Sequence, residues 1–411
     1  MTIRSLWRDL AYVALAILAL PRLLAKDRGD WPARFGKGEP LPPPDRPRVL
    51  LAAVSVGEVN LLRGIVPELG DVDVVIASTT DTGHARAAEL FGQTRPVLRY
   101  PIDFSWSVRR FLDRVRPDAV ALVELELWPG FLEACERRRI PVVVINGRMS
   151  DRSAPRYRRF RVVTGGWFRR LAIVAAQDER SAERFRDAGA RDVRVTGNMK
   201  WDAAGAAPDE AAVRETAERL GIARSRPVVV AGSTAPDEVS LIHEAVGDRA
   251  QLIVAPRRVE WFEGAAAQLP GCARWSRPGE GASGRALLDV IGRLPAAYAL
   301  ADVVIIGRSF GDLYGSDPME PASLGRPVLI GPAHADFVSS VEALREAGGL
   351  RVVGRSELAA ALGELLTDAE RRRAMGRAAR DAAERLRGAS ARNAAIIREA
   401  IALSPEAQAR S

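Results

Sequence analysis

Cysteine is nearly absent: the 411 residues contain only Cys135 and Cys272, far apart and outside any CxxC spacing. That excludes a disulfide framework and points to a reducing compartment. Histidine is as scarce. His84, His243 and His334 stand singly, none in an HExxH pattern or a Cys/His cluster, so no metal site is expected. Apolar runs that could span a bilayer, which takes ~20 residues, are also missing. The run at 10–20, LAYVALAILAL, is too short and is flanked by Arg4, Arg8, Arg22, Lys26 and Arg28. It reads as a helix lying in a membrane interface, its arginines on anionic headgroups. A signal peptide would need a small-x-small cleavage site, and Pro21 follows instead. A buried core helix is the other alternative.

What is present is ordinary for a folded body of two or three domains: 47% hydrophobic and 27% charged residues. Sixty lysines and arginines against 52 acidic residues leave a formal charge of +8. Such a surplus favours an anionic partner: nucleic acid, an acidic membrane face or a phosphorylated substrate. Between 137 and 170, Tyr157, Phe160, Trp167 and Phe168 are interleaved with Arg156, Arg158, Arg159, Arg161, Arg169 and Arg170. Rings beside arginines suit a headgroup layer. They also suit stacked single-stranded bases, or are merely a solvated face. No nucleic-acid motif accompanies them, so no nucleic-acid partner is expected.

After a proline-rich stretch at 38–48, short apolar runs alternate with helical patterns. Strands are expected over 49–54, 72–77, 97–100, 119–123, 142–146, 173–176 and 193–195. After a break at 202–213 the rhythm restarts, with strands over 228–231, 251–255, 303–306, 328–330 and 350–353. Runs this apolar are covered on both faces, the mark of parallel sheets. The Ala/Arg/Glu-rich tail at 369–402 should be helical. Two α/β halves of this kind form a doubly wound pair with a cleft between them, and ligands bind outside the carboxyl ends of the strands.

Six motifs lie at those ends. Glu58 opens a helix after the first strand, where it either complements the helix dipole or serves as a general base. Glu124 and Glu126 follow the fourth strand, and alternation does not say which faces the site. Lys200 ends the first half, as a surface lysine or as a cation for a phosphate or acid. Thr234 and Asp237 read as a capping box after a Gly-Ser-Thr turn. Pro256, Arg257 and Arg258 end a strand, with guanidinium groups suited to phosphate. Glu320 suits ribose hydroxyls, while Ser309 and Gly311 face a phosphate.

In this order the motifs resemble the 3-deoxy-D-manno-octulosonic acid (Kdo) transferase family, which attaches Kdo to lipid A precursors. The likeness covers nearly the whole chain: ARFG at 33–36, SVGE at 55–58, ELWP at 126–129, Asn146-x-Arg148-x-Ser150, Gln177, GN-x-K-x-D at 197–202, AGST at 231–234, APR at 255–257, EPA-x-LG-x-PV-x-IGP at 320–332, and Phe337. It implies an α/β chain of GT-B architecture, two Rossmann-like doubly wound domains with an N-terminal membrane-associated helix. The boundaries expected are 1–37 for the membrane helix, 38–202 for an acceptor domain, 203–226 for a linker, 227–385 for a donor domain and 386–411 for a helix returning to the first domain.

The resemblance also implies roles. Glu58 would be the proton acceptor, with Glu124 and Lys200 stabilising the transition state. Pro256, Arg257, Ile291, Gly292 and Arg293 would hold CMP, and Asp317, Pro318, Met319 and Glu320 its ribose. The reaction implied moves Kdo with inversion from CMP-Kdo to a lipid A precursor, lipid IVA, without metal or cofactor, at the cytoplasmic face of the inner membrane. Alternatives are a GT-B transferase for another activated acidic sugar, or a silent lipid A-binding relative. Three departures stand out: Arg308 where the family has glycine, Ser316-Asp317 for His-Asn, and Arg293 for glutamate. Arg308 or Arg293 is expected to offset the charge of Asp317.

Overall fold

A computed structural model describes residues 30–151, 153–204, 207–281 and 284–409. The apolar run at 10–20, and with it the expected membrane helix, lies outside the described residues. No helix among those described is long and apolar enough to cross a membrane.

The chain divides into two units, one of residues 1–199 with 388–411 and one of residues 200–387. The first carries β1 (Arg48–Ala53), β2 (Asp73–Ser78), β3 (Val97–Arg99), β4 (Ala119–Val123), β5 (Val142–Gly147), β6 (Ile173–Ala176) and β7 (Val193–Val195). All pair in parallel, in the order β3-β2-β1-β4-β5-β6-β7. The order reverses between β1 and β4, the switch point at which such sheets leave room for a ligand. Consecutive residues of β1 alternate between two cores: Val49 and Leu51 pack on one face, Leu50 and Ala52 on the other. That two-sided burial is why the strands read as unbroken apolar runs rather than alternating ones.

The second unit repeats the plan. It holds β8 (Val228–Thr234), β9 (Gln251–Pro256), β10 (Ala273–Arg274), β11 (Arg285–Leu287), β12 (Val303–Ile306), β13 (Val328–Ile330) and β14 (Leu350–Val352). Its all-parallel order, β10-β11-β9-β8-β12-β13-β14, switches between β8 and β12. Strands β10 and β11 are additions to the expected set. Residues 203–226, expected as linker, contain the helix Glu210–Arg219, and Leu220 and Ile222 after it are buried in this unit's core.

The tail is helical but not continuous. Ala369–Leu386 packs in the second unit, and Ala389–Ala402 in the first. Between them Gly388 takes φ +82, a left-handed conformation that glycine adopts without a Cβ penalty. Ala394, Ile397, Ala400 and Ile401 then join the core of β1 and β5. Fully buried Asn393 fixes the register, accepting from Asn146 N–H (3.0 Å) and donating to Thr196 Oγ1 (3.1 Å) and the Ala389 carbonyl (2.8 Å). Asn146 itself sits at φ +50 and accepts from Met199 N–H (2.9 Å). A Gly388→Ala variant is expected to lose about 1–2 kcal/mol, since alanine is strained at this φ. Thermal melting checks it, and an unchanged midpoint would show that the junction relaxes freely.

The aromatic and basic stretch is partly core. Phe168 is fully buried, edge-on to both Tyr157 (5.2 Å) and Phe185 (6.1 Å), and Trp167 packs against the same core. Phe160, at 53% exposure, and Val162, at 97%, are the large apolar side chains that face outward there. The expectation of a full row of interfacial rings is thus corrected, because helical spacing puts Phe168 on the inner face.

Candidate active site

The first unit gathers three carboxylates at its switch point. Glu58 is the third residue of the helix Val56–Leu69, whose N-cap is Ser55. Ser55 Oγ accepts from Glu58 N–H (3.3 Å) and donates to Glu58 Oε1 (2.9 Å), while Val54 N–H donates to Oε2 (2.7 Å). This reciprocal box fixes the carboxylate at the end of β1. Burial raises its pKa, and the nearby charge of Glu124 pushes the same way. The dipole and general-base readings therefore coexist: the helix start holds the group while burial makes it more basic.

Glu124 follows β4 in a left-handed conformation, φ +61, its N–H bonded to the Ile145 carbonyl (3.0 Å). Only a few per cent of non-glycine residues adopt this conformation. The next helix starts at Pro129, where the missing N–H costs nothing. Asp103, also buried, accepts from the Gly130 and Phe131 amides (2.8 and 2.7 Å), holding that start in place. Glu126, between these anchors, accepts from the Trp128 side chain. Burial first, then the charges of Glu58 and Glu124, raise it to about 7.

In the second unit Lys200 opens the helix Lys200–Ala204, which packs on the helix Met319–Ser323. The Lys200 ammonium acts on half-buried Asp317, whose Oδ1 caps the Met319 N–H (2.9 Å). Burial outweighs both effects and raises the Asp317 carboxyl. Burial raises Glu320 too, helped by Asp317. Tyr298, fully buried, senses both carboxylates. Pro318 and Met319 are buried between them. Lys200, Asp317 and Glu320 thus form one group. Pro256 and Arg257 leave β9, and Ile291, Gly292 and Arg293 follow β11, on the other side of β8 from β12. Pro256 is buried and Arg257 exposed, its N–H bonded to the Thr234 carbonyl (3.1 Å). Ile291 is 64% exposed and Gly292 has φ +91.

Three expectations need correction. Arg293 does not act on Asp317: it pairs with Glu215 (3.2 Å) and lies over the Trp275 ring (5.2 Å), which Arg219 covers at 5.0 Å. Nor is Arg308 among the groups acting on Asp317; the cation that does is Lys200. No capping box joins Thr234 to Asp237. The helix Val239–Val246 begins at Glu238, and Thr234 Oγ1 is buried without a partner. Ser309 does not face a phosphate. It is fully buried, donating to the Ile306 carbonyl (2.6 Å) and accepting from Gly331 N–H (2.8 Å).

Sequence reasoning missed Glu238. Its wholly buried carboxylate accepts four amides: Ala235 (2.7 Å) and Arg308 (2.6 Å) on Oε2, Ser309 (2.7 Å) and Phe310 (3.0 Å) on Oε1. It fixes the loop after β12, in which Arg308 holds φ +58. That φ accounts for the glycine usual in the resembled family.

Two doubly wound parallel sheets, with acidic and basic side chains at the carboxyl ends of their strands, define the GT-B class of glycosyltransferase fold. Solved structures share it. A crystal structure of Anabaena HepE in complex with UDP superposes at TM-score 0.62 with 16% identity, over 87% of this chain and 99% of that one. MurG of Acinetobacter baumannii gives 0.54 with 14% identity, over 86% and 99%. Residues 29–203 match the family described as 3-Deoxy-D-manno-octulosonic-acid transferase (kdotransferase). The 3-deoxy-D-manno-octulosonic acid transferase of Bordetella pertussis is 34% identical over 86% of this chain and 88% of its own length. That of Haemophilus influenzae is 28% identical over 85% of each. The chain belongs to the Kdo transferase family.

Proposed function

We propose that this chain transfers Kdo from CMP-Kdo to lipid IVA, releasing CMP, at the cytoplasmic face of the inner membrane. Glu58 takes the proton from an acceptor hydroxyl. The hydroxyl oxygen attacks the anomeric carbon from the face opposite CMP, and the configuration inverts. Glu124 and Lys200 stabilise charge developing in the transition state. Arg257, exposed at the end of β9, meets the donor phosphate, while Asp317 and Glu320 accept from ribose hydroxyls. The observation that carries the reading is Glu58 itself, a held and partly desolvated carboxylate at a sheet switch point, in a chain of this family. Exposed Phe160 and Val162 beside Arg158, Arg159 and Arg161 support contact with an anionic membrane. Incubating purified protein with CMP-Kdo and lipid IVA, then weighing the lipid by mass spectrometry, tests the whole reading. A lipid that gains no Kdo mass rejects it, and a gain from another activated acidic sugar would reassign the donor.

Asp317 is an anion in a pocket for an anionic donor. Because Lys200 already offsets it, an Asp317→Asn variant should change the donor KM by less than about tenfold. The asparagine keeps the Met319 cap through its own oxygen. A fall of roughly a hundredfold would mean that the carboxylate repels the donor uncompensated.

A further inference from the structure

We infer that Glu126 is a positioning residue for Glu58, the two carboxyls sharing one proton that Glu126 keeps while Glu58 works as the base. The inference rests on the reading of Glu58 given above and deepens it. Glu58, Glu124 and Glu126 act on one another at the carboxyl ends of β1 and β4. Glu58 is held by two hydrogen bonds, from Val54 N–H and Ser55 Oγ, both of which favour its ionised form. Glu126 has a drier setting. The Trp128 side chain bonds to it, and no cation is among the groups that act on it. On another side stands Tyr100, 5% exposed, its hydroxyl without a partner and its ring sensing the charges of Glu126 and Asp103. Asp103 spends its own carboxylate on the Gly130 and Phe131 amides.

An unpartnered buried hydroxyl beside the trio marks a site that takes in water or substrate, not a closed ion-pair network. Three adjacent carboxylates with no cation between them do not all ionise at once. The group best placed to stay protonated is Glu126, which has fewer bonds to its charged form and is raised to about 7. In transfer the acceptor O–H bond breaks and its proton passes to Glu58. The oxygen forms the new bond to the sugar, and the sugar–phosphate bond leaves its electron pair on CMP. A neutral Glu126 keeps Glu58 ionised at the start. An ionised Glu126 would make Glu58 hold its proton to higher pH.

Glu126→Gln removes that charge without changing shape. The acid limb of kcat is then expected to move about half a pH unit or more towards lower pH, with KM for CMP-Kdo unchanged. Glu126→Asp should restore part of the original profile. The unfolded chain releases the Glu126 proton near an ordinary ~4.3, the folded chain near 7, so wild-type stability falls as pH rises between the two. The Gln variant should therefore melt above wild type at about pH 8 and close to it at about pH 4. Should that variant not fold, carboxyl-carbon NMR of the unsubstituted chain reads the same coupling. A glutamate titrating near neutrality is expected, and every glutamate titrating below about 5 overturns the inference. An unmoved acid limb in Glu126→Gln also overturns it. Activity surviving in Glu58→Gln would instead sink the reading of Glu58 and leave the shared proton to be judged by NMR and melting.

Discussion

Glu58→Gln should abolish Kdo transfer, lowering kcat by about a hundredfold to ten-thousandfold, the contribution of a well-placed general base. The fold should survive the change. Glutamine retains an oxygen to accept from Val54 N–H, and its other atom can still meet the Ser55 hydroxyl, which accepts as well as donates. What is lost is the ability to take a proton. Binding of lipid IVA and CMP-Kdo should stay within a few-fold of wild type, because a base acts in the transition state and not in ground-state binding. The pH dependence follows from the sign of the shift. Burial raises the Glu58 carboxyl, and its ionised form is the active one. Activity should therefore rise with pH through a value above the ordinary carboxylate range and disappear below it. Glu58→Asp, which shortens the side chain but keeps the acid, should retain a measurable fraction of transfer. If kcat in Glu58→Gln stays within about threefold of wild type, the base lies elsewhere.

Much of this site was legible because a parallel sheet obeys simple rules. Apolar runs covered on both faces gave away β4, β6, β7, β12 and β13 to the residue, and their carboxyl ends located Glu58, Glu124, Lys200 and Arg257. Strands β10 and β11 escaped because neither has a pattern to read. Two and three residues long, they exist through pairing with each other and with β9, beside the glycine-rich stretch at 279–284. The break in the tail was visible in principle, since glycine at 388 is what a left-handed junction needs. Which of Arg293, Arg308 and Lys200 meets Asp317 was not visible, for that depends on Glu215 and Trp275 engaging Arg293 from distant positions.

Glu238 shows the same limit most sharply, and replacing it should be the most destabilising single change in the second unit. Three of its four amide partners lie 70 or more residues further along the chain, on a loop whose own sequence, Ile306-Gly307-Arg308-Ser309-Phe310, shows no need of an acid. Each carboxylate oxygen accepts two N–H groups. Alanine would leave those buried donors without an acceptor, at a combined cost on the order of 3–5 kcal/mol after water enters the gap. For a unit of this size that lowers the melting temperature by roughly 10 °C. Glutamine should be no rescue. Whichever way its amide turns, an NH2 group faces two N–H donors and no acceptor, so its midpoint should fall nearly as far as that of alanine. The loop carrying Arg308 at φ +58 would relax with it, and the donor KM should rise while Glu58 chemistry in the other unit is untouched. Differential scanning calorimetry of Glu238→Ala and Glu238→Gln, beside donor kinetics, decides the matter. A glutamine variant as stable as wild type would mean that two amides suffice to hold the loop, and that the charge is not what fixes it.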